Sequence, residues 1–248
     1  MAEPDEIREA EVSLIQLLPN AMTIAAICAG LSAIKNGSQE NFAFAVQLIV
    51  LAAVIDGLDG PIARLLKSAS KMGAELDSLA DFLNFGVAPA LLLYFWTLRD
   101  FSNTAWIAVL IFAVCCVVRL ARFNVNSKED TAWKGSGYFQ GVPAPAGALL
   151  VLLPMYLAFA FPEVPRIPAP VIAVYMVLVG LLMISHIPTW SFKKTRISRR
   201  NVKFFLVGVA VVGAAVLTFA WATLIVLCLG YAATVIWALI ARKTPAGS

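Results

Sequence analysis

The sequence predicts an all-α fold, a polytopic membrane protein of about eight transmembrane helices, and three observations predict it. Hydrophobic residues make up 60% of the 248-residue chain and charged residues 14%, and the mean hydropathy is +0.84. That composition excludes an ordinary soluble domain. Apolar runs of bilayer-crossing length, roughly 17–25 residues, recur along the whole chain. Lys and Arg collect in alternate connections between those runs, as in a membrane protein of fixed orientation.

The runs fall at 18–36, 41–65, 72–97, 103–123, 144–161, 169–187, 203–219 and 222–241. Residues 1–17 are a polar, partly amphipathic lead-in with Leu14, Ile15, Leu17 and Leu18 along one side, suited to the membrane surface. Pro19 interrupts the first run, and Pro143 and Pro145 interrupt the fifth. The connection from about 124 to 142 carries Gly135, Gly137 and Gly141 among mixed charges. The basic loop 188–202 holds Lys193, Lys194, Arg196, Arg199 and Arg200, either to attract anionic lipid or to anchor topology. The last two runs, within 203–241, form a C-terminal helix pair.

Orientation follows from the basic residues. With both ends on one side, that side collects sixteen of the 19 Lys and Arg, leaving only Lys35, Arg99 and Arg166 opposite. Both termini are therefore expected in the cytoplasm. The N-terminus is acidic (Glu3, Asp5, Glu6, Glu9, Glu11), unlike the basic start of a cleavable signal peptide. Cys28, Cys115, Cys116 and Cys228 lie in apolar runs without CxxC spacing, and read as small buried thiols. The net charge of +4 is a topology effect, and no nucleic-acid partner is indicated.

Within this apolar background stand Asp56, Asp59, Asp77 and Asp81. A charge at membrane depth costs at least about 2.5–3.5 kcal/mol, and neighbouring carboxylates repel one another. Asp56 and Asp59 are three apart and share a helix face with Gly60 and Ala63. Gly73, Asp77 and Asp81 form a second stripe at i, i+4, i+8. The short connection makes the two helices antiparallel neighbours, so the stripes converge near one membrane face. Two carboxylates from each helix suit one or two hard cations, Mg²⁺ or Mn²⁺. Gly60 and Ala63 leave room for a ligand, where close helix packing is the alternative use of small residues. Arg64 sits one turn along, either to hold a phosphate or as a topology residue. Pro61 frees the Gly57 carbonyl at the same place. A divalent cation, an arginine and small residues around a cavity suggest a phosphate-containing ligand and phosphoryl-transfer chemistry.

The pattern D-x2-D-G-x2-A-R-x8-G-x3-D-x3-D is met at all eight fixed positions: Asp56, Asp59, Gly60, Ala63, Arg64, Gly73, Asp77 and Asp81. It resembles the signature of the CDP-alcohol phosphatidyltransferases. The resemblance implies a helical membrane enzyme, a homodimer of bacterial-type inner or plasma membrane, with its core over 18–187. It further implies that Asp56, Asp59 and Asp77 are metal ligands, with Asp81 both ligand and general base. Gly60, Ala63, Arg64, Ser70 and Gly73 would line the CDP-lipid site. Asn20 and Thr23 resemble the family's Asn-x-x-Thr element of the same pocket, the alternative being Asn20 as a helix cap. Three further stretches resemble the integral-membrane phosphatidylserine synthases: Asp77–Asp81 with Phe85–Ala90, Arg119–Asn124, and Gln140–Ala146. Asn84 departs from that subfamily, where Ser is expected.

The resemblance implies CDP-diacylglycerol and L-serine as substrates. Arg119 and Arg122, three apart on one face, are the candidates for the serine carboxylate, with snorkelling as their alternative. The expected mechanism is direct attack, Asp81 taking the serine hydroxyl proton. His186, the sole histidine, reads as an interfacial residue. Glycerol 3-phosphate, inositol phosphate or choline are the alternative acceptors. A divalent-cation transporter is the alternative of another class. It is disfavoured because the later helices carry no acidic residue to continue an ion path.

Overall fold

The computed structural model describes residues 17–66, 68, 70–101, 103, 105–128, 138–185, 188–190 and 202–241. Expectations for the lead-in 1–16, for His186 and for Lys193–Arg200 lie outside the described residues. Nine helices are present among the described residues: α1 (Leu18–Ser38), α2 (Phe42–Leu65), α3 (Lys71–Leu98), α4 (Ala105–Lys128), α5 (Ala144–Val151), α6 (Leu153–Ala160), α7 (Ala169–Ile184), α8 (Val202–Thr218) and α9 (Ala220–Ala241). Two three-residue strands, β1 (Tyr138–Gln140) and β2 (Pro188–Trp190), pair antiparallel, with Phe139 opposite Thr189. Among the described residues, five helices are long and apolar enough to cross a membrane: α1 to α4 and α9.

Small residues decide how α1 packs. Ala26, Gly30, Ala33 and Gly37 are buried along one of its faces, and α3 runs parallel against them. A Cβ added to Gly30 would collide with Asn84 Oδ1 of α3, and one on Gly37 would lie 2.8 Å from Leu92 Cδ1. Close backbone approach of this kind is how helices associate where lipid supplies no hydrophobic drive. Elsewhere α4 crosses α7 so tightly that a Gly180 Cβ would lie 3.2 Å from Phe112 Cα. Phe85, Phe112, Tyr156, Met155, Met176 and Met183 are fully buried in the centre. Cys115, Cys116 and Cys228 are buried as expected, but Cys28 is exposed on the outer face of α1.

Prolines act locally and differently. Pro19 lies in the first turn of α1, where its missing N–H has no intrahelical partner to lose, so α1 begins at Leu18 undisturbed. Asn20 is consequently inside the helix and is not its cap. Pro61 sits within α2 without ending it. In α3, Pro89 cannot donate to the Phe85 carbonyl, and the preceding turn widens into a π-helical segment over Phe82–Val87. The expected break at Pro143 and Pro145 is displaced: both lie at the start of α5, and the chain instead breaks at Leu152. Pro154 has no N–H for the Leu150 carbonyl, and Tyr175 Oη donates to that oxygen at 2.6 Å. Tyr175→Phe removes this bond and leaves the carbonyl only the backbone N–H it also accepts at the end of α5, at about 1 kcal/mol. A thermal unfolding midpoint lower by a few degrees in detergent is expected. An unchanged midpoint would mean that the backbone N–H alone satisfies the carbonyl.

Candidate active site

The acidic residues stand on two helices joined by the short connection 66–70. α2 carries Asp56 and Asp59 towards its C-terminal end, and α3 carries Asp77 and Asp81. Ser70 caps α3, its Oγ accepting from Gly73 N–H at 3.0 Å. That cap fixes where the helix starts and so which face Asp77 and Asp81 present.

Asp56, Asp59 and Asp77 each offer a carboxylate oxygen, all within 4.8 Å of one another. Asp81 stands slightly apart. Its carboxyl lies against that of Asp56, and Arg119 of α4 acts on it electrostatically. Its Oδ1 is buried without a partner among the described residues. Asp59 is held from α1: the Thr23 hydroxyl lies 3.1 Å from Asp59 Oδ2 and 3.0 Å from the Pro19 carbonyl. A dense all-oxygen, all-acidic donor set with an orphaned buried carboxylate oxygen fits a hard divalent cation.

Beside the carboxylates lies a cavity of about 190 Å³. Its walls come from α1 (Asn20, Thr23), α2 (Asp59, Gly60, Ala63, Arg64) and α3 (Gly73, Asp77), with Ser68 and Ser70 from the connection. Asn20 reaches across to α3, where a Gly73 Cβ would lie 2.8 Å from Asn20 Oδ1. Glycine at 73 thus admits the asparagine. A Cβ at Gly60 would meet nothing within 4 Å, so this glycine leaves space instead of enabling packing. Ser68, which sequence reasoning passed over, lines the same cavity, with its Oγ buried and without a partner among the described residues. Its only signal was its place inside the eight-residue gap of the motif.

The arginine pair divides. Arg119 lies over the Phe123 ring, 5.6 Å from its centroid, and is near enough to Asp81 to act on it electrostatically. Arg122 instead donates to the Ile184 carbonyl at the end of α7, at 2.9 Å. Asn84 is fully buried one turn beyond Asp81, against Gly30, and its amide has no hydrogen-bond partner among the described residues.

The family profile described as CDP-alcohol phosphatidyltransferase matches residues 16–187. The chain is 37% identical over 219 residues to a CDP-diacylglycerol–serine O-phosphatidyltransferase of Mycobacterium leprae, covering 88% of this chain and 72% of that one. It is 43% identical over 175 residues to the protein of the same name from Mycobacterium bovis, covering 70% of this chain and 61% of that one. A third of that name, from Helicobacter pylori, is 35% identical over 195 residues, covering 79% of each chain.

Proposed function

This chain belongs to the CDP-alcohol phosphatidyltransferase family, and from that premise we propose that it transfers the phosphatidyl group of CDP-diacylglycerol to the hydroxyl of L-serine, giving phosphatidylserine and CMP. One observation carries the proposal. Every residue expected at the CDP-lipid site (Asn20, Thr23, Gly60, Ala63, Arg64, Ser70 and Gly73) lines a single cavity, and two carboxylates of the acidic cluster, Asp59 and Asp77, form part of its wall. The shared name of the relatives supports serine as the acceptor.

In this mechanism the cavity holds the nucleotide end of the lipid. Arg64 supplies a bidentate fork to phosphate oxygens. Asp56, Asp59 and Asp77, with Asp81 at their edge, would hold one or two Mg²⁺ or Mn²⁺ ions. When bound, these ions neutralise pyrophosphate charge and ease departure of CMP. Arg119 holds the serine carboxylate, since Arg122 is engaged by Ile184. Asp81 accepts the serine hydroxyl proton as that oxygen bonds the lipid-side phosphorus. The bond from that phosphorus to CMP breaks, and CMP leaves with the electron pair. The protein works as an integral membrane homodimer of a bacterial-type inner or plasma membrane. Its eight crossings comprise a core over 18–187 and a C-terminal pair over 203–241, with both termini and the basic loop 188–202 cytoplasmic.

The test is CMP release by purified protein in detergent, given CDP-diacylglycerol and Mn²⁺ or Mg²⁺, with and without L-serine. Serine-dependent release is expected. Turnover only with glycerol 3-phosphate, inositol phosphate or choline would replace the acceptor and keep the chemistry. Cation uptake into liposomes without CMP release under any condition would replace the chemistry as well.

A further inference from the structure

The cytoplasmic-facing role proposed for Arg119 depends on how α4 is held, and two side-chain bonds one turn beyond it do the holding. Asn124 Nδ2 donates to Ser78 Oγ on α3 at 2.9 Å. Arg122 donates to the Ile184 carbonyl on α7 at 2.9 Å. Residues 122 and 124 are two apart, about 200° around a helix, so the bonds draw α4 towards opposite neighbours. Rotation of α4 about its own axis breaks one or both.

The polarity of the Ser78 bond is set. The Ser78 hydroxyl gives its proton to the Ala74 carbonyl at 3.0 Å, which leaves its lone pairs to accept from Asn124. Ser78 follows Asp77 directly and stands three residues before Asp81. The bond therefore references α4 to the helix that carries two of the four aspartates. Arg119 lies five residues before Asn124 on the same helix, within electrostatic reach of Asp81.

We propose that Ser78 and Asn124, with Arg122 bonded to Ile184 on the other side of α4, form a two-point clamp that positions Arg119 for the acceptor carboxylate. This rests on the serine reading given above. Ser78, Asn124 and Arg122 are positioning residues in it: none touches the reacting atoms, and each acts through Arg119. The clamp holds one side of the site only. It governs the acceptor and leaves the nucleotide cavity, built from α1, α2 and α3, untouched.

The experiment is a double-mutant cycle on the intact membrane protein, read as KM for L-serine and KM for CDP-diacylglycerol, with Arg119→Lys alongside. Ser78→Ala and Asn124→Ala are each expected to raise the serine KM by about tenfold, the scale of one hydrogen bond. The double variant is expected to be no worse than either single one, because both remove the same bond. Ser78→Thr, which keeps the hydroxyl, restores a near-normal KM, and the CDP-diacylglycerol KM stays within about twofold throughout. Thermal unfolding confirms that each variant is folded. Multiplying effects in the double variant, or parallel rises in both KM values, would overturn the clamp. So would a serine KM unchanged by Asn124→Ala while Arg119→Lys raises it. Absence of serine dependence in the unmodified protein would overturn the acceptor reading itself, and the clamp with it.

Discussion

Asp81→Asn is expected to lower serine-dependent CMP release by about 10²–10⁴-fold, the usual contribution of a positioned general base. The substitution keeps the size of the side chain, and its amide can donate to Asp56, so the packing of α3 against α2 is preserved. What it removes is basicity at Oδ1, which is buried with no partner among the described residues. The loss should appear in kcat, with CDP-diacylglycerol binding and the unfolding midpoint little changed. Raising Mn²⁺ separates the two duties proposed for Asp81. Recovery of rate at high Mn²⁺ would make Asp81 chiefly a metal ligand, whereas a loss that added metal does not reverse is expected of the base. A variant turning over at near wild-type rate would remove Asp81 from the chemistry.

How far this site is legible in sequence depends on which interactions create it. Helix positions follow from composition, because a membrane-length apolar run has few alternatives to a helix. The faces of α2 and α3 follow from i+3 and i+4 spacing, and the short connection between them forces the antiparallel pairing that brings Asp56, Asp59 and Asp77 within 4.8 Å. Tertiary contacts are another matter. Spacing places Arg119 and Arg122 on one face as equals, and only the Ile184 carbonyl, 62 residues further on, separates them. Asn124 was visible as a residue without a role, since its partner Ser78 lies 46 residues away. The break at Leu152 was masked by the more conspicuous Pro143 and Pro145, which the first turn of a helix tolerates. The π-helical turn before Pro89 arises where a proline inside a helix meets tight packing. A Cβ on Gly86 there would lie 3.1 Å from Cys116 Sγ.

Gly60→Val is expected to leave the fold intact and to raise the CDP-diacylglycerol KM by more than about tenfold. Two glycines of the bundle make the contrast. At Gly30 an added Cβ runs into Asn84 Oδ1, so Gly30→Val separates α1 from α3 and should cost the protein its folded yield. At Gly60 an added Cβ meets no atom within 4 Å. Helix propensity alone makes glycine there unfavourable by roughly 0.5–1 kcal/mol relative to alanine, so the conformation of α2 does not call for it. Gly60 follows Asp59 and lines the cavity beside Arg64. The space it leaves therefore serves a ligand, and a valine filling it competes with the nucleotide end of the lipid. Serine KM should move little, because Arg119 approaches from α4 on the far side of the carboxylates. A folded Gly60→Val protein with an unchanged CDP-diacylglycerol KM would show that the cavity is not where the nucleotide binds. Raised KM at an unchanged or higher unfolding midpoint would separate the use of this glycine from that of Gly30, the one for a substrate and the other for a neighbouring helix.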